Sequence, residues 1–333
     1  MTTSRIASAS LVLLMVTTTV RAATVKAQQA SSEAVELAAG PGTVYGTLLL
    51  PRPGKDPMPV VLLISGSGPT DRDGNSKMLP GPNNSLKLLA EGLAESGIAS
   101  LRYDKRGIGA SAKALTAEAD IRFDNYVDDA VALCERFRKD KRFSGVVIAG
   151  HSEGSLIGMV AAKRCHAAGF VSIAGVGEPA ADTLRAQLAG QLPPELVTKN
   201  EAVLQALEQG KKPESTPPEL ATLYRESVQP YLISWFKYDP AKEIAALTVP
   251  ALLIQGTTDI QVTVVDAKKL AAANPKAKLL IIDGMNHVMK VVPADRQKQI
   301  ASYSDPSLAL APQVVPAIVE FVHTAVKSPK TAK

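Results

Sequence analysis

The sequence predicts an α/β fold with a mostly parallel sheet, and three observations support this class. Between positions 60 and 174, short apolar runs alternate with helical patterns of about ten or more residues. The runs themselves, such as VVLLIS at 60–65, are continuously apolar, which is typical of parallel strands buried on both faces. The chain has 333 residues, 46% of them hydrophobic, which is enough for one domain with a full core.

The N-terminus is predicted to be a secretory signal peptide of residues 1–22, with cleavage possible as late as residue 27. Arg5 precedes an apolar run at 6–20 that is short for a membrane span, and small residues follow it. An uncleaved anchor is the alternative. We therefore expect an exported protein, periplasmic or secreted, with no stable membrane insertion after cleavage.

Charge offers no support for nucleic-acid binding. Loss of Arg5 and Arg21 with the leader lowers the formal net charge from +5 to +3, and no Lys/Arg run exceeds two residues. No Cys/His spacing resembles a metal site, and no cofactor is expected. Cys134 and Cys165 could form one disulfide in an exported protein or remain two buried thiols.

The core is predicted to occupy residues 31–177 and 248–327. Two antiparallel strands at 35–38 and 43–50 flank a Gly-Pro-Gly turn. The elements that follow are strands at 60–65, 99–103, 145–149 and 170–174 and helices at 86–95, 126–139 and 156–168. After residue 247 the alternation resumes, with strands at 250–259 and 278–282 and helices near 264–273 and 313–326.

Residues 178–247 interrupt this alternation and are predicted to form a helical cap. The segment is polar and broken by prolines, and it ends in an aromatic cluster. We expect Tyr231, Trp235 and Phe236 of this cluster to bind substrate, in an apolar pocket between the cap and the edge of the sheet.

A nucleophile elbow is predicted at residues 150–154, which read Gly-His-Ser-Glu-Gly. In a G-x-S-x-G turn between a buried strand and a helix, the glycines avoid clashes and the serine oxygen is exposed at the C-terminal edge of the sheet. The helix N-terminus behind Ser152 directs free N–H groups toward a developing anion. Ser152 is therefore the candidate nucleophile.

The general base is predicted by elimination among four histidines. His151 adjoins the serine and should point elsewhere, His166 lies late in the following helix, and His323 lies in the last helix. His287 follows the last predicted strand, at the edge of the sheet where a base could reach the elbow.

An acid must orient this base, and Asp259 is the preferred candidate because it closes the strand at 250–259. The order Ser, Asp, His is the one expected for an α/β-hydrolase. Asp283, four residues before His287, is the rival, and Asp266 is a third candidate on a helix.

Two main-chain amides are predicted to bind the oxyanion of a tetrahedral intermediate. One belongs to Glu153, directly after the nucleophile, and the other to Ser67 in the glycine-rich loop SGSGP after the strand at 60–65. Residues 71–73, Asp-Arg-Asp, are interpreted as charges that anchor this loop. Two alternatives remain: a solvated turn, or an Arg72 that faces the pocket and binds a substrate carboxylate.

Two further charged sites complete the predicted edge of the sheet. Asp104 and Arg106, after the strand at 99–103, are expected to form structural ion pairs below the site. The Glu153 carboxylate would oppose an oxyanion unless it is turned away, and Arg106 or Arg72 is the expected partner.

The ordered motifs SGSGPTDRDGN, RYDKRGIGAS, AGHSEGS, QGTTD and GMNH resemble bacterial α/β-hydrolase-fold carboxylesterases of the serine aminopeptidase-like branch. The resemblance covers about residues 33–325. It implies an eight-stranded sheet with a helical cap after the sixth strand. It also implies Ser152, Asp259 and His287 as the triad and the amides of Ser67 and Glu153 as the oxyanion hole. Ser65 stands where this family often has histidine.

The expected function is hydrolysis of carboxylic esters with short to medium acyl chains through an acyl-enzyme intermediate. Peptidase or thioesterase activity on the same triad is an alternative. The alternative from a different class is a non-catalytic binding protein that keeps the fold and the pocket. A small-molecule ester is the expected partner.

Overall fold

The structure, a computed structural model, describes residues 30–52 and 57–327, so the predicted signal peptide lies outside the described residues. Eight strands in the described ranges form one sheet in the order β1-β2-β4-β3-β5-β6-β7-β8. In chain order they are β1 Ser31–Ala39, β2 Gly42–Leu50, β3 Met58–Ile64, β4 Ala99–Tyr103, β5 Phe143–His151, β6 Gly169–Ile173, β7 Ala251–Gly256 and β8 Lys278–Ile282. The β1–β2 and β2–β4 pairs are antiparallel and the others are parallel. The predicted mostly parallel sheet is confirmed.

The helices cover both faces of the sheet. They are α1 Ser85–Glu95, α2 Phe123–Lys139, α3 Glu153–Arg164, α4 Ala180–Leu188, α5 Pro194–Glu208, α6 Ala221–Tyr224, α7 Gln229–Trp235, α8 Pro240–Ala245, α9 Val264–Ala273, α10 Arg296–Ser302 and α11 Val314–Lys327. Short 3-10 helices occur at Gly109–Ala114, Glu118–Asp120 and Pro218–Leu220. Helix α10 was not predicted. Helices α4 to α8 lie between β6 and β7 and form the cap.

Side-chain alternation along β3 explains why helices are needed on both faces. Val60, Leu62 and Ile64 join a core with α2 and α3, whereas Val61 and Leu63 join a second core with α1 and α11. Because successive side chains of a strand point to opposite faces, a continuously apolar strand must be covered twice. The apolar run in the sequence therefore predicted the layer architecture correctly.

Two boundaries near the elbow differ from the prediction. Strand β5 continues to His151 and α3 begins at Glu153, so a single residue, Ser152, separates strand from helix. The apolar pattern alone placed the helix start at residue 156, because the polar and glycine positions of the elbow carry no helical periodicity. Helix α3 also ends earlier than predicted, with His166 at a φ of 51° in the left-handed region.

A disulfide joins Cys134 of α2 to Cys165 at the end of α3. The two Cα atoms are 6.2 Å apart, and both cysteines are fully buried. The bond therefore covalently links α2 and α3, the two helices that pack on the same face of the sheet.

Candidate active site

Ser152 occupies a strained turn between β5 and α3. Its φ is 55° and its ψ is −123°, a conformation that a non-glycine residue adopts only where the surroundings enforce it. A Cβ on Gly150 would lie 2.0 Å from the carbonyl oxygen of Gly154, and one on Gly154 would lie 2.5 Å from that of Ile64. Both glycines are thus required sterically, as the G-x-S-x-G pattern predicts.

His287 and Asp259 form a buried pair. The Nδ1 atom of His287 lies 2.8 Å from Oδ2 of Asp259, and their side chains are 6% and 0% exposed. Asp259 lies three residues beyond the end of β7, in a loop rather than in the predicted strand. The structure brings these two predicted residues together, and the imidazole is oriented by a carboxylate.

The two rival acids have other partners. Asp283 accepts a hydrogen bond from the Thr257 hydroxyl, and Asp266 caps α9 through the amide and hydroxyl of Thr263. Neither carboxylate contacts His287, so the preference for Asp259 holds.

Asp259 is held as a carboxylate by four donors. Burial would raise its pKa, but the charge and hydrogen bond of His287 and the amides of Val262 and Gln261 outweigh burial and lower the pKa below 3.8. The amide group of Gln255 adds a further hydrogen bond at 3.2 Å. The acid therefore remains charged across the neutral pH range.

His151 has a structural contact that the sequence did not predict. Its Nε2–H donates to the carbonyl oxygen of His287 at 2.8 Å, and the two ring centroids are 4.7 Å apart. Burial, assisted by repulsion from His287, lowers the pKa of His151 from 6.5 to about 3. His151 is therefore neutral at ordinary pH and ties the loop of the predicted base to the elbow.

The Nε2 atom of His287 and the Ser152 hydroxyl both lack hydrogen-bond partners among the described residues. The two groups make no hydrogen bond to each other. Hydrogen bonds between nucleophile and base are often long before substrate binds and shorten in the complex. The pairing of His287 with Asp259 leaves Nε2 as the nitrogen available to Ser152.

The predicted oxyanion loop approaches Ser152 closely. A Cβ on Gly66 would lie 3.2 Å from the Ser152 Cβ, and Ser67 lines the same cavity as Ser152 and Glu153. The Ser67 amide has no acceptor among the described residues. Glu153 is the first residue of α3, a position whose N–H has no acceptor within its helix. Two unpaired amides thus flank the serine.

Residues 71–73 anchor this loop, as predicted. The Arg72 guanidinium bonds the Asp104 carboxylate at 2.8 Å and the Thr47 hydroxyl at 3.0 Å, and Asp73 pairs with Arg102. Oδ1 of Asp71 accepts the amides of two residues further along the turn. Because the Arg72 guanidinium bonds Asp104 and Thr47, the structure favours the anchoring interpretation over the alternative in which Arg72 binds a substrate carboxylate.

The partner predicted for Glu153 is also wrong. Arg106 pairs with Asp129, and Arg72 pairs with Asp104. The Glu153 carboxylate is instead bound by Lys105, at 2.7 Å, and by the Tyr231 hydroxyl. The predicted ion pairs of Asp104 and Arg106 are confirmed, but the neighbouring lysine was missed.

A cavity of about 350 Å³ opens beside Ser152. Its wall is mainly apolar and includes residues of the cap and of the loop after β7. Tyr231 and Trp235 line it, but Phe236 does not. Residues 231 and 235 are one helical turn apart and share a face of α7, whereas residue 236 is rotated away and packs against the core. Sequence reasoning missed the contributions of α4, which are Ala180, Thr183, Leu184 and Gln187.

Within residues 30–52 and 57–327, no group of three or more His, Cys, Asp or Glu side chains is arranged to hold a metal ion. In the same part of the chain, every helix falls short of the length and apolar character that crossing a membrane requires. The chemistry available at the site is that of Ser152, the imidazole–carboxylate pair and the two unpaired amides.

Comparison with known proteins places this site in a family context. The hydrolase family described as serine aminopeptidase S33 matches residues 84–232. Esterase EstD of Thermotoga maritima is 32% identical over 249 residues, a match that covers 73% of this chain. It spans 57% of the length of that relative.

Solved structures show the same fold. Est1E of Butyrivibrio proteoclasticus has a TM-score of 0.58 and 18% identity, with 88% of this chain and 98% of that chain covered. A puromycin-hydrolysing peptidase of Mycobacterium tuberculosis has a TM-score of 0.54 and 16% identity, with 89% and 40% covered. At such identities the likeness concerns the fold alone.

Proposed function

Because this chain belongs to the α/β-hydrolases of the serine aminopeptidase S33 type, we propose that it hydrolyses carboxylic esters of short to medium acyl chain length. The observation that carries the proposal is the buried Asp259–His287 pair beside the strained elbow of Ser152. The name of the curated relative, an esterase, supports the same reaction class.

Acylation begins with Ser152 as nucleophile. Nε2 of His287 takes the hydroxyl proton while Oγ attacks the carbonyl carbon, and the Asp259 carboxylate stabilises the resulting imidazolium. The amides of Ser67 and Glu153 bind the oxyanion of the tetrahedral intermediate. As this intermediate collapses, the bond between carbon and alkoxide breaks and His287 returns the proton to the departing alcohol.

Deacylation repeats the sequence with water. His287 takes a proton from water as its oxygen attacks the acyl carbon, and the same two amides bind the second oxyanion. The bond to Ser152 Oγ then breaks, Oγ recovers the proton from Nε2, and the carboxylic acid leaves.

The cavity favours esters over peptides that carry a free amino terminus. Glu153 and Glu178 are the carboxylates that line it, and each already has a cationic partner, Lys105 and Lys269 respectively. Neither carboxylate is therefore left unpaired to bind the ammonium group of a peptide substrate. The apolar wall and the volume of about 350 Å³ suit a short or medium acyl chain.

The test is a substrate panel on the purified protein. We expect p-nitrophenyl acetate, butyrate and octanoate to be hydrolysed with a kcat/KM well above that for aminoacyl p-nitroanilides and acyl-CoA. A fluorophosphonate probe should form an adduct on Ser152, and Ser152→Ala should abolish both hydrolysis and labelling. A folded wild-type protein that neither hydrolyses esters nor reacts with the probe is a binding protein, and this function is then wrong.

We also propose that the protein is exported and acts in the periplasm or outside the cell. The disulfide between Cys134 and Cys165 supports this, because such bonds persist in oxidising compartments. N-terminal sequencing of the mature protein from a periplasmic fraction tests it, with cleavage expected after residue 22 or, at the latest, after residue 27. A protein recovered only from the cytoplasm with its N-terminus intact would contradict it.

A further inference from the structure

Lys105 is a fully buried cation that the mechanism above leaves unused. It follows β4, and its side chain is 1% exposed. Lysine is almost never buried without partners, and here the ammonium has three. It donates to the carbonyl oxygen of Gly66 at 2.7 Å and to Oε2 of Glu153 at 2.7 Å, and it lies 4.9 Å from the centre of the Tyr126 ring.

Both hydrogen-bond partners of Lys105 belong to the predicted oxyanion hole. The carbonyl of Gly66 and the amide of Ser67 are two ends of one peptide unit. Because that unit is planar and trans, a carbonyl fixed toward Lys105 fixes the Ser67 N–H in the opposite direction. The Ser67 amide has no acceptor of its own among the described residues. The orientation of this peptide plane is therefore fixed through the Gly66 carbonyl and its hydrogen bond from Lys105.

The second partner, Glu153, supplies the other amide. Its carboxylate is buried and lies on the residue that follows the nucleophile, where an uncompensated negative charge would oppose an oxyanion. Lys105 neutralises this charge, and the Tyr231 hydroxyl occupies the other carboxylate oxygen. One ammonium therefore bridges the loop of Ser67 and the N-terminus of α3, which carry the two predicted oxyanion donors.

We propose that Lys105 is a positioning residue of the oxyanion hole, which sets the peptide plane of Ser67 and compensates the charge of Glu153. This inference rests on the proposed ester hydrolysis. It predicts a defect confined to the transition state, because an oxyanion exists there and not in the bound ester. Removal of a single oxyanion donor lowers kcat by roughly a hundredfold or more, so a donor that is only misaligned should lower it roughly ten- to a hundredfold.

The experiment compares wild type, Lys105→Met and the double variant Lys105→Met/Glu153→Gln. The double variant removes both charges, so it avoids an unpaired buried carboxylate if the single variant fails to fold. With p-nitrophenyl butyrate as substrate, we expect kcat of both Lys105 variants to be roughly ten- to a hundredfold below that of wild type, while KM stays within about threefold of the wild-type value. The Ki of a trifluoromethyl ketone, which forms a tetrahedral oxyanion on serine, should rise by the same factor as kcat/KM falls.

Arg106→Met is the matched control. This neighbouring side chain forms a buried ion pair with Asp129 and contacts neither Gly66 nor Glu153. Its loss should lower stability while kcat stays within about twofold, since no oxyanion donor moves.

Three results would overturn the inference. A folded Lys105 variant that keeps kcat and the inhibitor Ki within threefold of wild type excludes a positioning role, and so does an equal loss of kcat in Arg106→Met. Wild-type protein without ester hydrolysis or probe labelling would remove the proposed function and this inference together. If wild type hydrolyses esters and the Lys105 variants do so with an unchanged kcat, only this inference is wrong and the proposed function stands.

Discussion

The two sides of Ser152 are held in place by different means. On one side, the His287 imidazole has one carboxylate partner, the backbone carbonyl of His287 accepts a hydrogen bond from His151, and Nε2 of His287 is unpaired among the described residues. On the other side, the loop with Ser67 is fixed by the ion pairs Arg72–Asp104 and Arg102–Asp73 and by the hydrogen bond that Lys105 donates to the carbonyl of Gly66. In the proposed mechanism His287 must gain and lose a proton, which requires a ring nitrogen without another partner. A main-chain amide does not titrate, so only its direction has to be fixed, and ion pairs and hydrogen bonds can do this.

The largest effect should come from the base side. Asp259→Asn is expected to lower kcat by roughly 10⁴-fold, because an amide in place of the carboxylate favours the wrong imidazole tautomer. Steady-state hydrolysis of p-nitrophenyl butyrate measures this. Asp283→Asn is the control, since among the described residues that carboxylate accepts a hydrogen bond only from the Thr257 side chain, and it should change kcat less than twofold. A loss below tenfold in Asp259→Asn would show that the pair does not drive the reaction.

The contact of His151 predicts acid sensitivity. Its pKa of about 3 in the folded protein lies below its ordinary 6.5, so the unfolded chain binds more protons between these values. The free energy of unfolding therefore falls as pH falls through this window, by up to about 1.4 kcal/mol per pH unit. His151→Gln keeps a side-chain N–H but does not titrate.

Urea unfolding at pH 7.5, 6.0 and 4.5 checks the contribution of His151. From pH 7.5 to pH 4.5, the free energy of unfolding of wild type should fall by about 2–3 kcal/mol more than that of His151→Gln. Stability curves that run parallel for the two proteins would mean that His151 is not buried in its neutral form.

On the oxyanion side, Gly66→Ala should lower kcat about tenfold. The added methyl would lie 3.2 Å from the Ser152 Cβ, so the loop must shift by a few tenths of an ångström and its amide loses alignment. Gly145→Ala adds a methyl 3.3 Å from the Val326 side chain at the opposite end of β5. Thermal unfolding and kcat are measured for both variants, so that a general effect of steric crowding on stability can be separated from misalignment of the Ser67 amide. Equal kcat values in Gly66→Ala and Gly145→Ala would count against a fixed oxyanion donor in this loop.

The smallest effect concerns the cap. Tyr231→Phe removes the hydroxyl that binds Glu153 but leaves the bond from Lys105. We expect a loss of stability of about 1–2 kcal/mol and a kcat within threefold of wild type. Chemical denaturation and initial rates measure the two quantities. A kcat reduced as much as in Lys105→Met would assign the positioning role to the cap instead.

The sheet and the approach of Asp259 to His287 could be predicted because they follow from strand periodicity and from the order of the motifs along the chain. Strand periodicity predicts burial on both faces, and the order of the motifs places three loops at one edge of a parallel sheet. The steric need for glycine at 150 and 154 is likewise encoded within five residues.

The sequence-based predictions failed where the outcome depends on which of two adjacent, chemically similar residues faces the site. Lys105 and Arg106 are adjacent and both basic, and only the path of the loop after β4 directs the first to Glu153 and the second to Asp129. Trp235 and Phe236 are adjacent and both aromatic, but only one faces the cavity. The contact of His151 with His287 joins residues 136 positions apart and has no local signal.

The most direct test of the account is the crystal structure of the protein after reaction with a p-nitrophenyl alkylphosphonate. We expect phosphorus bonded to Ser152 Oγ, with the phosphoryl oxygen about 3 Å from the amides of both Ser67 and Glu153. Nε2 of His287 should face the remaining oxygen, and Lys105 should still bind the carbonyl of Gly66. A phosphoryl oxygen directed away from these amides, or phosphorus on another residue, would contradict the assignment of the site.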